Sequence, residues 1–572
     1  CSSDLRLDLL VPFAGLPFLL RRLFALLNVP RFRAYDYESP RHFGSRLWGR
    51  TRAGQVAKAV MLTSILTAFS PVTLIMVIVV VGALSLNSRL SGARQLERPW
   101  RTTGQICLGV VTLLLPMACD VVLAGRRGIE IFGLPLASWS GADFSHIMRL
   151  SDGVFGQGPL SWAAPLAALG ALALARNERR TMAGQWVILL GLTVLLCSLV
   201  ARNVTATFAP DIDGLMIMGS IALAALVGVT VASLEDDLRD REFGWPHFVA
   251  AVCTVAVVAA PLQIVTHATD GRYGLPQTSA ADALSAYTPS TAGGFRVLWL
   301  GDPRAMPLSG WSVSPGLAAA TSTNGGPDGS VLFSPPASGA SDVLLKTVQL
   351  IANRGTTHAG RLLAPAGVSE IVVLTASVPP LAGLQSAVTL PPPAALLDGL
   401  DRQIDLALVA KSSGLLIYAN RRFHGIVAQR PDGLASSVTA SDAASATDWQ
   451  PVLDGETLSG NVAAGTVIAG FAPSNAFSLE VDGRPVTRRT VLGWAAGYDT
   501  PAGNATIVLH QFPLNGLLAL FTIFLWLTYL FGFGVTERLG ELLGRRQRRI
   551  VTPVEIAAAI PVIELDDDED EQ

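Results

Sequence analysis

GPLSWAAPLAALGALALARNERRTMAGQWVILLGLTVLLCSLVA, residues 158–201, holds two apolar runs parted by the basic knot Arg176-Asn177-Glu178-Arg179-Arg180. Each run has the ~18 or more residues that a helix needs to cross the roughly 30 Å hydrocarbon core of a bilayer. A basic loop between two such runs belongs on the cytoplasmic side. Working outward, the same pattern recurs over 103–124, 213–233, 246–267 and 514–533. Half of the 572 residues are hydrophobic and 15% are charged, with a mean hydropathy of +0.45. Soluble domains carry about 25% charged residues, so the deficit marks a polytopic α-helical membrane bundle.

Charge bias then orients the chain. The tail after the last span carries Arg545, Arg546, Arg548 and Arg549, and is expected inside. The loop 234–245, with Arg239 and Arg241, falls inside as well, and 202–212 falls outside. The segment 125–157 also falls outside, although it contains Arg126 and Arg127, the one exception to the rule. The run 57–86 is long for a single helix at ~1.5 Å per residue and has basic residues on both flanks, with Pro71 at its middle. It reads as a hairpin or as one kinked helix. Residues 1–56 read as a truncated span or interfacial helix followed by a basic cytoplasmic segment. Cys1-Ser2-Ser3-Asp4-Leu5 is also what the end of a common sequencing adapter would encode. The expectation is that residues 1–5 are foreign to the protein and that the chain is a C-terminal fragment.

Between the last two spans the texture is that of a soluble domain. Phe295 to Leu300, Ile371 to Leu374, Ile404 to Leu408 and Leu415 to Tyr418 read as buried strands, and 342–353, 357–364 and 394–402 have helical periodicity. The alternation predicts an extracytoplasmic α/β domain over 268–445, with the Gly/Pro/Ser-rich stretch 305–342 as loop. From 446 to 512, strand–turn–strand patterns such as Phe477–Val481, Asp482-Gly483 and Val491–Trp494 predict a small β-sandwich. A last transmembrane helix, 514–533, and a cytoplasmic tail, 534–572, basic and then acidic, complete the organisation.

Four ordered segments carry a family resemblance: GFRVLWLGDP (294–303), LLAPAGVSEIVVL (362–374), LLIYANRRFHGIVAQR (415–430) and LEVDGRPVTRRTVLGWAAGYDTPAGNATIVLHQF (479–512). Together they resemble the C-terminal part of the large multi-spanning actinobacterial proteins classed as family 2 glycosyltransferases. More distantly, they are similar to YfhO-type membrane glycosyltransferases of the GT-C class. Here Val368-Ser369-Glu370-Ile371 replaces a Tyr-containing strand, and Ala419 stands where the family has Glu before Asn420. The resemblance implies envelope glycan chemistry for the full-length protein, with the catalytic region upstream of this chain. It implies a polyprenyl-linked sugar as donor, a cell-wall glycan as acceptor and membrane lipid as surroundings.

Transfer from a lipid-linked sugar calls for a carboxylate near the outer face, as general base on the acceptor hydroxyl or as holder of a divalent cation. The candidates are Asp143, Asp152, Asp211 and Asp213. Trp139, His146 and Arg149 in the same outer loop are candidate contacts for a sugar ring and a phosphate. The bland readings stand beside these: Asp211-Ile212-Asp213 opens a helix, where Asp first serves as cap and dipole partner, and the others are ordinary loop polarity. The rival function is a non-catalytic scaffold or export partner whose outer domain binds wall polymer. A net charge of −2 offers no basis for nucleic-acid binding, and no Cys/His spacing suggests a zinc site.

Overall fold

The computed structural model describes residues 7–27, 52–91, 98–136, 159–202, 208–236, 243–268, 294–326, 339–376, 390–430, 459–510 and 513–532. Positions 29, 96, 148–149, 204, 433 and 450–451 are described as well, while 307, 309, 413 and 476 are not.

The helical part comprises α1 (Leu7–Leu26), α2 (Arg52–Phe69), α3 (Val72–Leu90), α4 (Pro99–Leu113), α5 (Leu115–Leu123), α6 (Ala163–Leu174), α7 (Asn177–Ala201), α8 (Ile212–Asp236) and α9 (Trp245–Ala268). Four helical stretches among the described residues are long and apolar enough to cross a membrane: Leu9–Leu26, Val72–Leu90, Arg179–Ala201 and Ile212–Glu235. The α4–α5 pair makes five if it is one broken span. The bundle is apolar on its outside, where Leu166, Leu169, Leu172, Val252, Val255 and Val258 are partly or largely exposed. Small hydroxyl side chains lie within: Thr63, Ser64, Thr193 and Thr230 are buried and return hydrogen bonds to helix carbonyls. Thr230 also donates to Ala167 O on a neighbouring helix at 2.7 Å. An apolar exterior around a small-residue, hydroxyl-bearing interior is the construction of a multi-pass membrane protein.

Pairwise contacts fix the helix directions. Arg52 at the start of α2 donates to Thr102 at the start of α4. Asn87 near the end of α3 reaches Thr181 near the start of α7, and Arg179 reaches Ala232 near the end of α8. These termini gather Arg52, Arg89, Arg98, Arg101, Arg176, Arg179 and Arg180 at one end of the bundle. Val72 at the start of α3 instead lies against Gly214 at the start of α8, at the opposite end. Trp100 at the start of α4 also lies against Gly82 of α3, so α2, whose start meets that of α4, runs antiparallel to α3 across the run 57–86. Ser70 N donates to Leu66 O, closing α2, and Pro71 (φ −56°) starts α3, where its missing N–H costs nothing.

The span expected over 103–124 is not one straight helix. It bends by 89° at Leu114 (φ −107°, ψ 35°). Pro116 explains the break, since it offers no N–H to the preceding turn and its ring crowds that turn's carbonyl.

In the β-rich part, a six-stranded sheet has the order β2 (Trp311–Ser314), β3 (Leu317–Thr323), β1 (Arg296–Gly301), β4 (Val368–Leu374), β6 (Leu415–Asn420), β5 (Leu406–Ser412). Only the β1–β4 pair is parallel. Helices α10 (Ala340–Ala352), α11 (Ala359–Leu363) and α12 (Ala394–Asp401) cover one face, packing Val348, Ile351, Leu363 and Leu396 on Leu298, Leu300, Ile371 and Val373. The other face carries Val297, Trp299, Val372, Leu374 and Ile417. The stretch expected as loop over 305–342 contributes β2 and β3. Leu317-Ala-Ala-Ala has little intrinsic strand preference, which pairing with β1 overrides, and β2 is completed by pairing with β3.

The sandwich has a five-stranded sheet, β13 (Arg488–Val491), β14 (Ala495–Thr500), β10 (Gly465–Ala469), β7 (Val427–Arg430), β8 (Gln450–Pro451). Its partner is a four-stranded sheet, β12 (Arg484–Pro485), β11 (Phe477–Val481), β15 (Gly503–Leu509), β9 (Ser459–Val462). Leu479, Val481, Val467, Ala496, Tyr498 and Ile507 fill the space between. It begins earlier than 446, because β7 joins it by pairing with β10. The chain then re-enters the bundle as α13 (Pro513–Leu527), which widens into a π turn over Thr528–Gly532.

Candidate functional site

The end of the bundle opposite the arginines is where it meets the β-rich part, through the segment Gly125–Leu136. The segment leaves α5 as a tight run of turns, Gly125–Phe132. Gly128 is required there: a Cβ would stand 2.0 Å from Val121 O. The side chain of Arg127 pairs with Asp342 on α10. Glu130 Oε2 accepts the Ser312 amide of β2 at 3.2 Å. Burial pushes the Glu130 carboxyl up from its ordinary value, against the Ser312 N–H and the Arg127 charge, which lower it. Pro135 O accepts the Gly316 amide in the β2–β3 turn at 2.9 Å, and Leu134 packs on the Val297–Trp299 face.

The same segment is bound to the start of α8. Phe132 O accepts the Asp211 amide at 2.8 Å, and the Phe132 and Phe208 rings lie 5.9 Å apart. Gly133 (φ +149°) runs so close to this turn that a Cβ would stand 2.3 Å from Ala209 O. Asp211 Oδ2 accepts the Gly214 amide at 3.3 Å, the bond of a residue capping a helix N-terminus. Asp213 sits in the first turn of α8, where a carboxylate opposes the positive end of the helix dipole. Both acids are half-buried.

Arg149 lies with its guanidinium 5.3 Å from the ring centroid of Trp162, which precedes α6. This is the geometry of a cation over an aromatic face. Trp139, Asp143, His146 and Asp152 lie outside the described residues. Among the described residues, no group of three or more His, Cys, Asp or Glu side chains is gathered to hold a metal ion. Glu130, Asp342 and Ser312 are members of the junction that sequence reading missed. The available signal was the arginine pair on the wrong side of the charge rule: Arg127 has its counter-charge in Asp342, 215 residues away.

No family model matches the chain, and no curated protein matches it. The single-particle cryo-EM structure of the arabinofuranosyltransferase AftD from mycobacteria aligns at 14% identity with a TM-score of 0.31. The alignment covers 75% of this chain and 31% of that one, so the chain spans about a third of the length of the protein it matches. Likeness of this degree establishes neither fold nor activity.

Several buried polar groups tie the β-rich part together. Asn420 donates to Gly360 O at 3.0 Å and to Val368 O at 2.8 Å, which gives the Tyr418-Ala419-Asn420 segment a structural role. Asp302 and Arg304 form a buried bidentate pair at 2.9 and 3.0 Å after β1. Arg296 donates through one Nη to Ala366 O and Gly470 O at 2.5 and 2.7 Å and lies 5.0 Å from the Phe471 ring, joining the α/β sheet to the sandwich. Burial brings its guanidinium down to about 10.

Proposed function

We propose that this chain is the membrane-embedded portion of a cell-envelope glycosyltransferase. It acts on a polyprenyl-linked sugar and a glycan acceptor, as part of a longer enzyme whose catalytic region lies upstream. The arginine-rich end of the bundle is cytoplasmic and the β-rich part extracytoplasmic. One observation carries the reading: the segment Gly125–Leu136 bonds at once to the start of α8 and to β2, the β2–β3 turn and α10. A lipid-borne group at the bundle's end and a polymer held by the β-rich part would meet at this junction. With the catalytic region upstream, Asp143, Asp152, Asp211 and Asp213 act there in support, placing the acceptor hydroxyl or a divalent cation, and Trp139, His146 and Arg149 contact sugar and phosphate.

The test is transfer of a labelled sugar from polyprenyl phosphate to a glycan acceptor, in membranes carrying the longer enzyme with each of these aspartates changed to Asn. Loss of turnover in at least one variant with an unaltered melting profile supports the reading. Full turnover in all four removes the acids from the chemistry.

The second reading is a non-catalytic scaffold or export partner whose outer domain binds cell-wall polymer. It draws on the Asp211 carboxylate, which is already engaged by the Gly214 amide. In that case all four Asn variants keep function, and co-sedimentation with wall polymer tracks the β-rich part alone.

A further inference from the structure

The α4–α5 break is built into the fold. The indole N–H of Trp526 on α13 donates at 3.1 Å to the carbonyl of Leu113, the last residue of α4. Pro116 breaks the helix, and this bond ties the bend, where the axis turns by 89°, to the last helix. Beyond the turn, α5 is Leu-Pro-Met-Ala-Cys-Asp-Val-Val-Leu, apolar at every position but Asp120. Leu115 to Ala118 and Val121 are half-buried, and Val122 and Leu123 are 77% and 85% exposed. Its far end is anchored by the close approach of Gly128 to Val121 O and by the junction that follows.

The level of α5 follows from lengths. Helix α4 starts at the arginine-rich end and has 15 residues. At 1.5 Å each it rises about 22 Å, short of the roughly 30 Å core. The bend therefore falls some 5–10 Å beneath the opposite boundary, the depth at which helices lying in the membrane plane bury their apolar surface.

We infer that α5 is an in-plane helix bedded in the acyl–headgroup boundary of the leaflet on the β-rich side, with membrane lipid as the partner that covers it. This rests on the reading of the bundle as membrane-spanning.

Nitroxide labels measure it in the full chain reconstituted in phosphatidylcholine vesicles, with depth read from accessibility to oxygen and to a water-soluble nickel chelate. One label uses native Cys119, which is exposed, in a Cys1→Ser, Cys107→Ser background. Cys197 and Cys253 are buried. Two more labels use Leu115→Cys and Leu123→Cys with Cys119→Ser. Leu108→Cys and Val111→Cys, exposed on α4, serve as controls.

An in-plane α5 gives equal, shallow depths at 115, 119 and 123, while the α4 controls lie deeper. A gradient of about 12 Å from 115 to 123, the rise of eight helical residues, overturns the in-plane placement. Equal depths with full access to the nickel chelate overturn it too, because α5 then lies in water. If the α4 controls are also in water, the membrane-spanning reading itself falls.

Discussion

Glu370→Gln isolates one buried carboxyl. Glu370 lies on β4 opposite Val297 of β1 and Ala419 of β6, and is 2% exposed. Its Oε2 has no hydrogen-bonding partner. Burial raises the carboxyl from its ordinary 4.5 to about 7. The sign follows from linkage. Below 4.5 the group is protonated in both folded and unfolded chains and imposes no pH dependence. Between 4.5 and 7 the unfolded chain releases the proton while the folded sheet retains it, so stability falls as pH rises. Above 7 the full penalty is present. At about 1.4 kcal/mol per pH unit the interval amounts to roughly 3 kcal/mol. Glutamine keeps the shape without the charge. Denaturant unfolding of the full chain in detergent, followed by tryptophan fluorescence (Trp299 is fully buried in the same sheet), gives the gap between variant and wild type. The variant is expected to gain up to roughly 3 kcal/mol on wild type between pH 5 and pH 8.5. A gap that does not change with pH, or that favours wild type as pH rises, would refute the assignment of an unpaired carboxyl at this position.

Two further outcomes are expected. Trp526→Phe keeps an aromatic ring but strips the donor from Leu113 O, and should lower the unfolding free energy by about 1–3 kcal/mol; Thr522→Ala on the same helix, whose hydroxyl bonds only its own backbone at Leu518, should cost less than 1 kcal/mol. Gly133→Ala drives a Cβ into Ala209 O and the Asp211 amide, and should raise protease cleavage within 125–136, while Gly125→Ala, which meets nothing within 4 Å but shares a positive φ, should raise it less.

How far the sequence discloses this molecule depends on what each element leans on. Helices driven by bulk apolarity lie where hydropathy puts them: α7, α8 and α9 cover the runs at 183–201, 213–233 and 246–267. Strands with their own β-branched and aromatic residues, β1, β4 and β6, are equally legible. Elements that exist because a neighbour completes them are not. The Ala-rich strand β3 depends on β1, and the four-residue β2 depends on β3 in turn, while β7 follows directly on the α/β sheet but pairs with β10 of the sandwich. The α4 bend was half-visible: Pro116 marks it, whereas its partner Trp526 lies on the last helix. At the junction, Asp211 was found in its capping role, whereas Glu130 carries no local signature and draws its meaning from Ser312.

The Trp526–Leu113 bond also has an order in time. Its two residues are separated by 413 positions, so when α4 emerges during synthesis the carbonyl at its bend has no indole to meet. It waits until both β domains have been made and α13 has entered the bilayer. A chain cut short anywhere before residue 526 would lack the tie between the α4 bend and the last helix. Completion of translation is thereby recorded inside the bundle itself, as a single hydrogen bond that an unfinished copy lacks.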